Sequence, residues 1–163
     1  MTNRLRPLEQ SDLPELADLC HEHAEYERAS WNEYDRVARL TSLFLTSDDA
    51  RCWVVEGDGE LAGFATATME RSTWDADCYL HLDCLYLRTA YRGGGLGRRL
   101  IAEVALLAVE LGAVNLQWQT PAWNEEAARF YYRLGATSAE KLRFTLSPEK
   151  CAALLDETTG ENE

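Results

Sequence analysis

Tyr91-Arg92-Gly93-Gly94-Gly95-Leu96-Gly97-Arg98 is the stretch whose reading decides the fold. Before it, Asp77 to Leu87 reads as a strand. After it, Leu96, Leu100, Val104, Leu107 and Leu111 recur at helical spacing and stop at Gly112. Ala113 to Gln119 reads as the next strand, so residues 79–119 form a β–α–β unit. The glycines between strand and helix clear side chains away, so backbone N–H groups can face an anion. The helix N-terminus adds partial positive charge there, and Arg92 and Arg98 add full charges. The spacing narrows the anion. A dinucleotide fingerprint, G-x-G-x-x-G, lacks its last glycine here, and the Gly-Lys-Ser/Thr of a Walker turn is absent. What remains is R-x-x-G-x-G on a strand-to-helix turn.

Outward from the turn, Leu5-Arg6-Pro7 ends a first strand. Ser11-Asp12 reads as an N-cap before a helix carrying Leu13, Leu16, Leu19 and Cys20 on one face. Residues 32 to 45 suggest a second short helix. Arg51 to Glu56 and Glu60 to Glu70 form a hairpin around Gly57-Asp58-Gly59. Downstream, Asn124 to Leu134 is a helix closed by Gly135, residues 137 to 146 make a last strand, and Ser147-Pro148 opens a terminal helix. The order predicts an α/β (α+β) sandwich: a mixed, mainly antiparallel central sheet flanked by helices. Residues 1–155 are expected to form one domain and 156–163 a flexible tail.

The 163 residues, 46% hydrophobic and 27% charged, suit a globular domain. No apolar run approaches the roughly 20 residues needed to span a bilayer, and no signal peptide is visible. Sixteen basic residues against 28 acidic ones leave a net charge of −12. That charge disfavours nucleic acid and anionic membrane and favours a cationic ligand. The five cysteines show no metal-type spacing, which points to a reducing cytoplasm and no metal. His21-x-His23 is no metal pair, because helical positions two apart diverge.

The turn, together with Trp123-Asn124-Glu125-x-Ala127-x-x-Phe130-Tyr131-x-x-Leu134-Gly135-Ala136, resembles the GNAT superfamily of N-acetyltransferases. Ala24-Glu25-Tyr26-Glu27 and Leu82-Asp83-x-Leu85-Tyr86-Leu87 bring the chain nearer to the spermidine/spermine (diamine) N-acetyltransferase branch. The resemblance covers about residues 4 to 146. It implies a sheet splayed between the fourth and fifth strands and acetyl-CoA as co-substrate. The acceptor would be a small primary amine, diamine-like or amino-acid-like. A homodimer is the family default. Acetylation of a protein N-terminus or lysine, or non-catalytic acyl-CoA binding, are the alternatives.

The same resemblance implies roles residue by residue. Leu85, Tyr86 and Leu87 would pair with the pantetheine arm, the amide of Leu85 facing the thioester oxygen. Gly93, Gly94, Gly95, Leu96, Gly97 and Arg98, with Arg92, would hold the pyrophosphate. Asn124 and Ala127 would meet the pantetheine, Asn124 serving also as an N-cap. Tyr131 would protonate the leaving thiolate; a phenol with an ordinary pKa near 10 is a fitting donor. Asp83 stands where the branch has a glutamate that deprotonates the amine through water. At ordinary pKa values, direct transfer from an ammonium to a carboxylate is uphill by roughly 9 kcal/mol. Asp83 therefore acts with a raised pKa or binds the ammonium while water carries the proton away. On a two-residue period Tyr79, His81, Asp83 and Leu85 share a face, which leaves His81 either a second proton carrier or a satisfied, half-buried histidine, and Cys84 points away into the core. Tyr26 and Glu27, with Trp74, Asp75 and Asp77, are expected to line an acidic, aromatic mouth for an alkylammonium. Cys84 departs from the branch, which has a second acid there.

Overall fold

The computed structural model describes residues 3–160, with side chains as far as Leu155. These fall into two compact units that meet in the chain at Ala128 and Arg129. The first holds a five-stranded sheet in the order β1-β2-β3-β4-β5. Its strands are β1 (Arg4–Pro7), β2 (Ala50–Gly57), β3 (Glu60–Ser72), β4 (Asp77–Leu87) and β5 (Leu116–Gln117). Neighbours are antiparallel except β4 and β5, which are parallel. Helices α1 (Leu13–Glu27) and α2 (Arg36–Thr41) belong to one face and α3 (Leu96–Glu110) to the other. A π-helical turn, Ser42–Thr46, extends α2.

The apolar spacing in α1 does what the sequence reading expects. Leu13, Leu16 and Leu19 are buried against Val54, Leu61 and Phe64, with Leu40 of α2 closing the cluster. Each such side chain contributes about 1.5–3 kcal/mol. On the other face α3 buries Leu96, Leu100, Ile101 and Val104. Asp12 occupies the N-cap position of α1 but makes no side-chain cap to that helix; it completes the capping box of the 3-10 turn Gln10–Asp12 before it. Its carboxylate instead takes two hydrogen bonds from the Arg6 guanidinium, at 2.6 and 2.9 Å, and one from the Glu9 amide.

Two strands differ from expectation. The predicted fifth strand shrinks to Leu116–Gln117. Hydrogen bonds tie Val114 to Cys78 and Asn115 to Leu80, the ladder continues to His81–Gln117, and then the two strands part. Residues 82–87 of β4 therefore have no strand on that edge among the described residues, which is the splay the resemblance implies. The predicted last strand, 137–146, is not formed. Leu142, Phe144 and Leu146 alternate as a strand would, yet all three are exposed. Alternation without a partner ladder leaves a run irregular.

In the second unit, α4 (Glu125–Arg133), which starts in the first unit, ends at Gly135, whose φ of 92° suits glycine. The helix α5 (Pro148–Gly160) begins where Ser147 accepts hydrogen bonds from the amides of Lys150 and Cys151. It continues through the first residues of the expected tail; Glu161 to Glu163 lie outside the described residues.

Candidate active site

The glycine turn is open. Gly93 and Gly95 have φ of 83° and 81°, values that a side chain strains to adopt. A Cβ at Gly93, Gly94 or Gly95 would meet no atom within 4 Å. Gly95 is the N-cap of α3 and offers no side-chain cap. No acceptor among the described residues takes the amides of Gly93 through Arg98. Six donors without an acceptor thus cluster at the positive end of a 15-residue helix, an arrangement chemically suited to an anion such as a pyrophosphate.

The strand that feeds this turn carries a bulge. Thr66 of β3 pairs with Cys84 and Ala67 with Leu82, so Asp83 is the extra residue. The bulge overturns two expectations drawn from a strict two-residue period. Leu85 pairs with Ala65 and so leaves the face of His81, while Cys84 turns onto it, still packed against the core cluster under α1 as expected. Cys84 Sγ lies 3.8 Å from Asp83 Oδ2 and His81 Nε2 lies 3.9 Å from Asp83 Oδ1. Asp83 stands 60% exposed, accessible to a ligand. Burial pushes the Cys84 thiol far above the ordinary range, and the charge of Asp83 adds to the effect. Cys84 is therefore no thiolate nucleophile.

On the α1 side of the same strand, Tyr86 anchors a network. Its hydroxyl donates to Glu22, and Arg88 grips Glu22 through Nε and Nη2 and reaches Glu60. The Arg88 bonds hold the Glu22 carboxyl below its usual range. Burial, then Glu22, pushes the Tyr86 phenol up. The buried ring of His23 stacks on Tyr86 at 5.2 Å, and its Nε2 is 3.3 Å from Glu27. Tyr26 sits at the C-terminal end of α1 with its ring 6.0 Å from that of Trp123.

Arg92, the first residue of the motif, folds back. Its guanidinium lies over Tyr26 (4.9 Å) and Tyr86 (5.8 Å), and Nε donates to the Leu87 carbonyl at 2.8 Å. Arg28, in a left-handed conformation, covers Trp123 at 4.6 Å. Trp74 stands 97% exposed at the β3–β4 turn, with no ring contact to Tyr26 among the described residues. Asn124 is buried, and its Oδ1 caps α4 by accepting from the Ala127 amide at 3.2 Å. Within the second unit, Tyr131 is half-buried beside Phe130, with ring centroids 5.4 Å apart. Tyr132 is exposed and its hydroxyl pairs with Ser138 at 2.7 Å.

The first unit thus brings Asp83 and His81 together by a bulge and Tyr26 and Trp123 by ring contact. Sequence reasoning missed His23, Arg28, Trp31, Arg36 and the Glu22–Arg88 pair. The Glu22–Arg88 pair, His23 on Tyr86 and Arg28 on Trp123 join elements remote in sequence, and Trp31 and Arg36 meet through a loop, so none leaves a periodic signal.

Known proteins agree with this geometry. The family model described as the acetyltransferase (GNAT) family matches residues 16–136. A thialysine N-epsilon-acetyltransferase of Caenorhabditis elegans is 30% identical over 117 residues, 72% of each chain. An L-ornithine N5-acetyltransferase of Arabidopsis thaliana is 32% identical over 79 residues, 48% of this chain and 35% of the relative. An aminoglycoside N-acetyltransferase solved with CoA superposes with a TM-score of 0.76, covering 90% of this chain and 95% of that one at 18% identity. Glycine turn, bulged strand, parting strands and family model agree: the chain belongs to the GNAT acetyltransferase family.

Proposed function

We propose that the protein transfers acetyl from acetyl-CoA directly to the primary amine of a small cationic acceptor. The observation that carries this reading is the amide-lined turn at Gly93–Arg98, fed by the strand whose bulge presents Asp83. The turn amides would hold the pyrophosphate, and Leu85 to Leu87, with no strand on the β5 edge, would take the pantetheine as an added strand. Arg92 would release Leu87 as the cofactor enters, and Arg98 would add charge at the phosphates. With Oδ1 used as a cap, Asn124 keeps its NH2 as a donor, near Ala127. The amine nitrogen attacks the thioester carbon, the C–S bond breaks, and the thiolate takes a proton from Tyr131. Asp83 receives the ammonium, and its proton leaves through water with His81 alongside. Tyr26 and Glu27 bind the rest of the cation; exposed Trp74 would join them only by folding over the ligand. The thialysine and ornithine activities of the relatives support an amino-acid-like acceptor. Five free cysteines suit a reducing cytoplasm, and exposed Leu142 and Phe144 suit a homodimer.

An acceptor screen with acetyl-CoA and free-thiol detection tests the reading, with Tyr131→Phe alongside. Wild type should release CoA with at least one small amine. Tyr131→Phe should lose on the order of 10²-fold in kcat with CoA affinity kept. Tyr132→Phe, whose hydroxyl is already paired, should match wild type. CoA binding without turnover of any amine would favour a non-catalytic module, and turnover of peptides alone a protein acetyltransferase.

A further inference from the structure

The acidic chain pairs several of its arginines with carboxylates: Arg6 with Asp12, Arg51 with Asp48, Arg88 with Glu22 and Glu60. Arg92 is different. It stands immediately before Gly93, the first glycine of the cradle, yet its side chain is used elsewhere. The guanidinium lies 4.9 Å from the centre of the Tyr26 ring and 5.8 Å from that of Tyr86. No carboxylate pairs with it among the described residues. Beyond the rings it has one neutral partner, the Leu87 carbonyl, which accepts from Nε at 2.8 Å. Both contacts are weak beside the charge-assisted, two-pronged bonds that a guanidinium makes to a phosphate.

The places it covers are the two that the reaction needs. Arg88 turns its amide to Ala62 of β3, so Leu87, one residue earlier, turns its carbonyl to the opposite edge of β4. That is the edge β5 has already left, where an added strand would pair. Tyr26, 37% exposed, closes the corner through ring contacts with Tyr86 at 6.4 Å and Trp123 at 6.0 Å. An aromatic face of this kind attracts an alkylammonium, and a cation of the chain's own is already seated on it. Arg28, the other guanidinium of this corner, lies on Trp123 instead.

We propose that Arg92 is a stand-in for the acceptor: its guanidinium holds the cation seat on Tyr26 and Tyr86 until it leaves for the phosphates of a bound cofactor, so that the seat and the Leu87 carbonyl open together. Acceptor binding is then conditional on the cofactor, and by reciprocity a cation on the rings favours release of Arg92 toward the phosphates. Once the cofactor is in place, each site binds by its own contacts. This rests on the acetyltransferase reading and adds how its two sites are linked, and by which side chain.

Calorimetric titration of 1,5-diaminopentane into free protein and into protein saturated with CoA tests the link. CoA carries no acetyl group, so nothing turns over. Wild type should bind the diamine at least about fivefold more tightly when loaded. Arg92→Gln should close that gap from one side: the free variant should bind the diamine more tightly than free wild type does, whereas a damaged fold would bind it more weakly. Arg28→Gln removes the same charge from the adjacent ring and should keep the gap. No gap in wild type, whether both forms bind the diamine or neither does, overturns the proposal. So does a free Arg92→Gln protein that binds no better than free wild type. An Arg28→Gln protein that closes the gap equally overturns it too, because charge alone is then the cause. A gap that depends on Arg92 while no amine is acetylated keeps the link and overturns the acetyltransferase reading alone; acetylation without a gap does the reverse.

Discussion

The glycine turn and the α1–α2 corner are built by opposite means. At Gly93–Gly95 side chains are cleared away, and the amides of Gly93 through Arg98 have no acceptor among the described residues. The corner is crowded with side chains: Tyr86 under His23, Glu27 on His23, Arg92 on Tyr26, Arg36 on Trp31. A backbone cradle needs only a local motif and reads a phosphate that every substrate pair shares. A side-chain corner is assembled from elements far apart in sequence, and it alone can distinguish one acceptor from another. The two can therefore be disturbed separately, and each substitution below should move one and leave the other.

The largest expected effect lies at the root of the corner. Arg6 and Asp12 are nearly buried, and their pair fastens the start of α1 to β1. Asp12→Asn leaves Arg6 with only the more exposed Glu56 as its anion and should cost about 3 kcal/mol in urea unfolding at pH 7. The Arg6 hydrogen bonds hold the Asp12 carboxyl below its usual range, against an opposing effect of burial. A carboxyl lowered in the folded state adds stability that is fully present above its unfolded pKa, near 4, and is lost as pH falls through the lower folded value. The gap between wild type and Asp12→Asn should thus close on acidification below about pH 4. An equal gap at pH 7 and pH 3 would show that the charge of Asp12 contributes nothing.

The contrast between the two regions also explains what the sequence made legible. The β–α–β unit, the β4 bounds and the apolar face of α3 follow from local spacing and glycine chemistry. The bulge at Asp83 does not, because one extra residue in β4 is defined only by its partner, β3. Residues 137–146 mislead for the converse reason: Leu142, Phe144 and Leu146 have the right period, but period does not supply a neighbouring strand. Arg36 is invisible in sequence for a third reason. An arginine five positions from a tryptophan says nothing until the loop folds the pair together.

Next in size is the cradle itself. Gly95→Val places a β-branched residue at φ 81° and a side chain where the amides now stand open. CoA affinity by calorimetry should fall about tenfold, some 1.4 kcal/mol, in a protein that is still folded. The KM for the acceptor at saturating acetyl-CoA should hold. A drop in acceptor affinity of the same size would mean that the cradle and the corner are one cooperative site, and the contrast would fail.

The smallest effect is the mirror image, and it tests the contrast most directly. Glu27 is half-buried at the end of α1, 3.3 Å from the His23 imidazole, and its charge reaches the Cys84 thiol beside Asp83. Glu27→Gln keeps the shape and a polar contact for His23 while removing one negative charge from the corner. A partly solvated ion pair is worth no more than about 1 kcal/mol, so KM for a diamine should rise about three- to fivefold. A monoamine, with one charge fewer to lose, should respond less. The difference between wild type and Glu27→Gln should shrink in 1 M salt, where the Debye length is only about 3 Å. At each salt concentration the dissociation constant of CoA should be the same in wild type and Glu27→Gln, because the substitution leaves the proposed amide cradle untouched. A KM that rises equally for diamine and monoamine, or survives high salt unchanged, would show that Glu27 supports the helix end rather than the cation. In that case the corner reads its acceptor through Asp83 and the aromatic rings alone.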